Sequence, residues 1–352
     1  MFKPALISRP ALQRLLRLAP GLGLCAILSA AALGLQAVET RWLGRAWLEA
    51  LVLAILLGAA VRAVWTPDAR WMAGVDFSAK TLLELAVVLL GVTVDARAVL
   101  AVGLPLLAGV AALVASAIAI SYGLGRLFHL PRRMALLIAC GNAICGNSAI
   151  AAVAPVIGAE GEDAAAAIAF TALLGVLVVL GLPPLALGLG LSHRAAGVLA
   201  GLTVYAVPQV LAATAPISAA SVQIGALVKL VRVLMLGPVV TLLSLLEAHA
   251  ETADGAAPAR PPMTLGHMMP WFILGFLALV AARALGLTPA AVAAPAAGAA
   301  SALTVVSMAA LGLNVDFHAL RKAGPRVSAV VVLSLAMLGA LALGLLRALS
   351  LV

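Results

Sequence analysis

The segment Cys140-Gly141-Asn142-Ala143-Ile144-Cys145-Gly146-Asn147-Ser148 repeats the triplet Cys-Gly-Asn five residues apart, inside an apolar run. Gly and Asn are poor helix formers, because one costs backbone entropy and the other bonds to nearby backbone. Non-helical backbone at membrane depth is tolerated only where protein or a water-filled cavity surrounds it. A break here, with Gly141–Ser148 unwound, would let Asn147 or Ser148 cap a second half-helix over 149–157. The N–H groups and positive dipole end of such a half-helix suit an anion. Gly141, Asn142, Gly146, Asn147 and Ser148 are therefore candidate binding residues. The same composition also suits a tight helix crossing, in which glycines permit close approach and Asn and Ser bond to neighbours. Cys140 and Cys145 are not spaced C-x-x-C, and neither a metal nor a redox pair is expected of them.

Two basic residues stand in a later apolar run, Val228-Lys229-Leu230-Val231-Arg232-Val233. Their i, i+3 spacing puts them on one helical face. Each costs about 2.5–3.5 kcal/mol to insert, and charges in that position are usually functional. Lys229 is close enough to the start of its run to snorkel to water; Arg232 lies deeper. Glu84 is the one carboxylate clearly within an apolar run, on a face shared with Val88, Gly91 and Asp95. It reads either as a structural partner for Lys229 or Arg232, or as a proton carrier. In Thr203-Val204-Tyr205-Ala206-Val207-Pro208-Gln209-Val210, Pro208 frees a backbone carbonyl, and Tyr205 and Gln209 flank the defect. That is either a second broken helix facing the first, as in secondary transporters, or a plain proline kink.

The elements that must hold these groups follow from composition. Of 352 residues, 64% are hydrophobic and 10% charged, against about 25% charged in soluble domains. Mean hydropathy is +1.19. A soluble globule, a disulfide scaffold and a disordered chain are excluded. The apolar runs do not alternate as barrel strands do, so the reading is an all-α polytopic membrane protein. Eleven spans are expected, near 18–36, 47–65, 79–95, 101–124, 134–157, 164–190, 195–213, 221–246, 267–285, 289–313 and 325–349. Spans five, seven and ten are interrupted by Gly, Pro or polar residues. Residues 1–352 then form a single integral membrane domain. It comprises an N-terminal extra helix (1–46), a first helical repeat (47–190) and a second (195–349). The first helix is read as uncleaved. Ala248–Pro262 is the most loop-like stretch.

Of the 22 Lys and Arg, Lys229 and Arg232 lie within a span. Arg41, Arg45, Arg97, Arg283 and Arg347 fall on one side, and the other fifteen fall on the side of the N-terminus. That bias predicts a cytoplasmic N-terminus and, with eleven spans, a periplasmic C-terminus. It also accounts for the net charge of +9 without nucleic acid, for which no basic stripe with interleaved aromatics is present. The five histidines fall at loops or helix ends, away from metal-ligand spacing, so no metal or cofactor is expected. Walker A, G-x-S-x-G and H-E-x-x-H motifs are absent, and no nucleophile and base stand together, so no enzyme is expected. Gly91-Val92-Thr93-Val94-Asp95 is echoed by Gly312-Leu313-Asn314-Val315-Asp316. Seven spans separate the two, so they would point oppositely across the bilayer. Inverted repeats do this, though two five-helix units would need an offset of five.

The Cys140–Ala159 segment resembles the YeiH-like bacterial inner-membrane family, which is named for sulfate export. Thr203–Thr214, Lys229–Pro238 and Gly312–Asp316 resemble that family in the same order. The resemblance covers the chain from about the second span onward. It implies an inverted-repeat fold akin to bile-acid-type sodium symporters, with broken helices crossing at mid-membrane. Where many members carry His followed by an acidic residue, this chain has Tyr205 and Ala206. If such a pair couples protons or cations, this chain couples differently or not at all.

The expected function is secondary transport of a small anion across the inner membrane, and the resemblance suggests sulfate or a related oxyanion. Asn142, Asn147, Ser148 and adjoining backbone would bind the anion. Arg232, with Lys229, would neutralise it, and Tyr205 and Gln209 would line the opposite wall. A cation-coupled symporter of an organic acid, with Glu84 in the coupling site, is the alternative; a non-transporting membrane scaffold is the second. The partners expected are the anion and the lipid bilayer, with no nucleic acid. Homo-oligomerisation is left open.

Overall fold

The computed structural model describes residues 9–43, 49–93, 103–253 and 271–351. Arg45, Asp95, Arg97 and most of the loop-like stretch 248–262 lie outside the described residues. Every regular element among the described residues is helical. The chain divides into two compact units, each discontinuous in sequence. One comprises Met1–Ala86 with Ala299–Val315, the other Val87–Gly298 with Asp316–Val352. Both cut across the sequence halves 47–190 and 195–349.

The first unit is held by bare backbone. Helix α1 (Arg9–Leu43) packs on α3 (Ala69–Phe77). At their crossing, a Cβ on Gly21 would run into the Trp71 carbonyl, and one on Gly74 into the Leu18 carbonyl. Helix α2 (Ala50–Val64) meets the latter part of α14 (Ala290–Leu313) in the same way, through Gly58 and Gly312. Without Cβ atoms these helix pairs approach to backbone contact. Past α3 the chain makes a π-helical turn, Ser78–Leu82, before α4 (Leu83–Leu90). Beyond α14, the Asn314 side-chain amide donates to Asp76 Oδ1 at 3.4 Å.

The second unit carries α5 (Gly103–Leu127), α6 (Arg132–Ala143), α7 (Asn147–Val156) and α8 (Gly161–Gly188). It continues with α9 (His193–Thr203), α10 (Val207–Thr214), α11 (Ala219–Leu234), α12 (Leu236–Ala253), α13 (Trp271–Ala284) and α15 (Phe317–Ala348). Local signals set several starts. Ser192 caps α9 by accepting from the Ala195 N–H, and Ser218 caps α11 through Ser221. Glu162 and Asp163 in the first turn of α8 complement its dipole. Nearly every residue of α6, α9 and α10 is buried, forming the core of this unit.

Among the described residues, six helices are long and apolar enough to cross a membrane. They are Leu16–Trp42, Pro105–Leu127, Gly161–Gly188, Ala219–Glu247, Val292–Leu313 and Gly324–Ala348. Of the eleven expected spans, six thus correspond to helices of full crossing length among the described residues, and others to shorter helices. The reason is length. With 12 residues at about 1.5 Å each, α6 reaches about 18 Å, short of a hydrocarbon core near 30 Å. Span five is two half-helices, α6 and α7, and span seven is two more, α9 and α10. Span ten, expected to be interrupted, runs unbroken as α14 through Pro295. Pro295 is the sixth residue of the helix, past its first turn, so it gives up one intrahelical N–H without breaking the helix, and Thr304 and Ser307 bond back to their own helix.

Candidate functional site

The site grows from the turn between α6 and α7. The sequence suggested an unwound stretch over Gly141–Ser148, but the turn is confined to Ile144–Gly146. Gly141 and Asn142 are still helical, and Asn147 already begins α7. Gly146 makes the reversal with φ 63° and ψ −121°, a conformation that side chains oppose. Its missing Cβ also lets Tyr205 approach, since a Cβ there would stand 3.1 Å from Tyr205 Cβ. The second turn, Val204–Ala206 between α9 and α10, therefore lies against the first.

A helix C-terminus leaves four carbonyls without intrahelical partners, and every one at the end of α6 is accounted for. The Cys140 carbonyl accepts from the Ile144 N–H and the Gly141 carbonyl from the Gly146 N–H. Arg232 takes the other two: Nε donates to the Ala143 carbonyl at 2.6 Å, and Nη2 donates to the Asn142 carbonyl. Lys229 Nζ donates to the next carbonyl, Ile144, at 2.6 Å. Arg232 Nη1 reaches across to the Val204 carbonyl at the end of α9, at 3.3 Å. One guanidinium thus closes two helix ends. Lys229 and Arg232 are both 0% exposed, so neither snorkels to water.

Side chains complete the junction. The Tyr205 hydroxyl donates to Asn142 Oδ1 at 2.6 Å, and the Asn142 amide donates to the Val331 carbonyl of α15 at 3.3 Å. The Thr171 hydroxyl of α8 donates to Asn147 Oδ1 at 2.6 Å. Gln209 packs on Gly175 and accepts from the Ala206 N–H at 3.1 Å, capping α10 with its own side chain. Ser148, in the first turn of α7, is exposed, and Asn147 is half-buried. The structure therefore brings Gly141, Asn142, Gly146, Asn147, Tyr205, Gln209, Lys229 and Arg232 to one pair of facing turns, with Ser148 at its accessible edge. Glu84 lies in the first unit, half-buried near the start of α4. The hydrogen bonds described for Lys229 and Arg232 go to carbonyls of their own unit.

Sequence reasoning missed Thr171, Gly175 and the Val331 carbonyl. Thr171 carried a signal, as the only hydroxyl residue in the apolar run of α8. The carbonyl partners carried none.

The electrostatics follow. The C-terminal ends of α6 and α9 carry partial negative charge and the N-terminal ends of α7 and α10 partial positive charge, about half a unit each. The four ends nearly cancel. The charge of Arg232 remains, joined by that of Lys229 when it is an ammonium, and the hydrogen-bond partners of both are backbone carbonyls.

Comparison with known proteins places the chain. A family model described as conserved hypothetical protein 698 matches residues 20–331. A UPF0324 membrane protein of Brucella melitensis is 57% identical over 93% of this chain and 90% of its own length. One from Bradyrhizobium diazoefficiens is 52% identical over 93% and 92%. One from Bacillus cereus is 37% identical over 78% and 80%. No solved structure matches. The chain belongs to the UPF0324 membrane protein family, in keeping with the YeiH-like resemblance of its sequence.

Proposed function

We propose that this protein is a secondary transporter of a small oxyanion across the bacterial inner membrane. The observation that carries the reading is the charge balance at the facing turns. Two fully buried cations stand where four helix ends meet, and none of their described hydrogen-bond partners is a carboxylate. A dianion near this junction would meet about two units of opposite charge. Its oxygens would take the N–H groups at the start of α7, with the Ser148 hydroxyl beside them. Arg232 attracts it through the field it sets up, since its donors go to carbonyls, and Lys229 adds to that field.

Sulfate is the first oxyanion to try, because the sequence resembles a family named for sulfate export. In this reading the short helices pair into further crossings, giving about eleven spans in an inverted-repeat arrangement, N-terminus inside and C-terminus outside. Purified protein in proteoliposomes should pass labelled sulfate or a related oxyanion faster than protein-free vesicles. A panel of inorganic and organic anions, with and without proton and sodium gradients, tests this. Flux equal to the empty-vesicle rate for every anion and gradient would overturn it. Flux of organic acids alone, driven by sodium, would favour the symporter alternative.

A further inference from the structure

The two buried cations are not equivalent. Arg232 spends its donors on three carbonyls, at the ends of two helices, and cannot leave without orphaning all three. Its guanidinium also stays charged in proteins. Lys229 makes one described hydrogen bond, to the Ile144 carbonyl. An amine that has lost a proton still has two N–H bonds, so neutral Lys229 keeps that contact. The two cations sit on one helical face and reach successive carbonyls, Ala143 and Ile144. Like charges this close in a buried site repel, and loss of one proton relieves the repulsion.

The titratable groups beside Lys229 and its neighbour are few. They are Arg232 on the same helix, Cys145 at the first turn and Tyr205 at the second. Helix α9 packs on α11 too, but its His193 and Arg194 lie at the level of Ser221, about two turns before Lys229. Helices α5 and α12 also pack on α11, and their described charged residues are engaged elsewhere. Arg126 donates to the Leu130 carbonyl, and Glu247 pairs with Arg132. No carboxylate is bonded to Lys229 among the described residues to hold its proton in place.

We propose that Lys229 carries the proton that couples to anion movement, making the protein an anion–proton symporter. This deepens the anion-transport reading and rests on it. The site alternates between two positive charges when Lys229 is an ammonium and one when it is an amine. An anion at the start of α7 favours the ammonium. By linkage, the ammonium favours the anion to the same degree. The pair loads together, and on release the anion leaves to water and Lys229 Nζ gives its proton to water on the same side. Arg232 meanwhile keeps the helix ends closed.

Calorimetric titration of purified wild-type protein with sulfate tests this without any mutant. Sulfate takes up no proton itself near neutral pH. In buffers of different ionisation enthalpy, close to one proton should be absorbed per sulfate bound where Lys229 is neutral beforehand. Affinity should then fall by about tenfold per pH unit as pH rises. Lys229→Met should abolish both the proton uptake and the pH dependence. In proteoliposomes, an inward sulfate gradient should acidify the lumen with wild type and not with Lys229→Met. Sulfate binding without proton uptake at any pH would overturn the symport proposal and leave anion transport standing. Undiminished proton uptake in Lys229→Met would also overturn it, by placing the proton elsewhere. Failure of the wild type to bind sulfate or any other oxyanion across that pH range would remove both.

Discussion

The two facing turns solve the same problem in different ways. At the α9–α10 turn, the backbone stays extended, with Val204 at φ −71° and ψ 146° and Ala206 at φ −109° and ψ 149°. Gln209 folds back onto the Ala206 N–H, Pro208 has no N–H to offer, and the start of α10 is buried. At the α6–α7 turn, Gly146 reverses the chain through a positive φ and has no side chain to cap the helix that follows; the Cys145 sulfur is hydrogen-bonded by the Ala149 N–H and the Ser148 hydroxyl. Ser148 is exposed there. Both C-terminal ends are closed by side-chain cations, but the N-terminal ends differ: a buried amide caps α10, whereas α7 keeps an exposed residue, Ser148, in its first turn. A sealed end serves the fold; an end whose first turn stays accessible is available to a ligand.

The largest effect expected to break this comparison comes from Arg232, which both turns share. Arg232→Met leaves the Asn142, Ala143 and Val204 carbonyls without that donor. At about 1–3 kcal/mol for each orphaned acceptor, the loss should exceed about 3 kcal/mol. Folded yield in detergent should collapse, and if both turns depend on this residue, Arg232→Lys should restore only part of it. Gly146→Ala comes next. Holding alanine at that φ and ψ costs about 1–3 kcal/mol, before the close approach to Tyr205 is counted. A lowered melting temperature should accompany lost sulfate binding, because the helix start itself is displaced.

The remaining two substitutions separate the turns. Gln209→Ala removes the cap of α10 and should cost about 1 kcal/mol of stability. Sulfate affinity should hold at the wild-type value, and a loss in affinity equal to the loss in stability would mean that the sealed turn also binds. Ser148→Ala should do the reverse. At an exposed position its melting temperature should not move, while sulfate affinity falls by about 1 kcal/mol, or about fivefold. An unchanged affinity would place the ligand away from α7.

How much of this was legible beforehand depended on whether a side chain or the backbone does the work. The repeated Cys-Gly-Asn triplet located the first turn, since two glycines and two asparagines are poor helix formers, although a tight helix crossing would have used them too. Its width was overestimated, because Gly141 and Asn142 tolerate a helix that Arg232 caps from outside. The i, i+3 spacing put Lys229 and Arg232 on one face, and that face does meet the turns. Their partners were not legible: a backbone carbonyl leaves no mark on the residue that carries it. A carboxylate was the natural guess, and the described contacts are carbonyls. The Pro and Gly of span ten pointed to a break that is not there: a proline removes one N–H and bends a helix without having to end it. The two-unit division, with residues 299–315 rejoining the first 86, rests on Gly58 meeting Gly312. A contact of two glycines 254 positions apart is not announced by either one.

The covalent attachment of Lys229 and Arg232 to α11 has a consequence for mass action. A mobile ion that neutralised these carbonyl ends would occupy them in proportion to its concentration, and stability would follow the composition of the medium. A side chain anchored one helix away is always present at an effective concentration set by its tether. The helix ends therefore keep their donors in dilute or concentrated medium alike, and no metal ion has to be supplied from outside to hold the junction together.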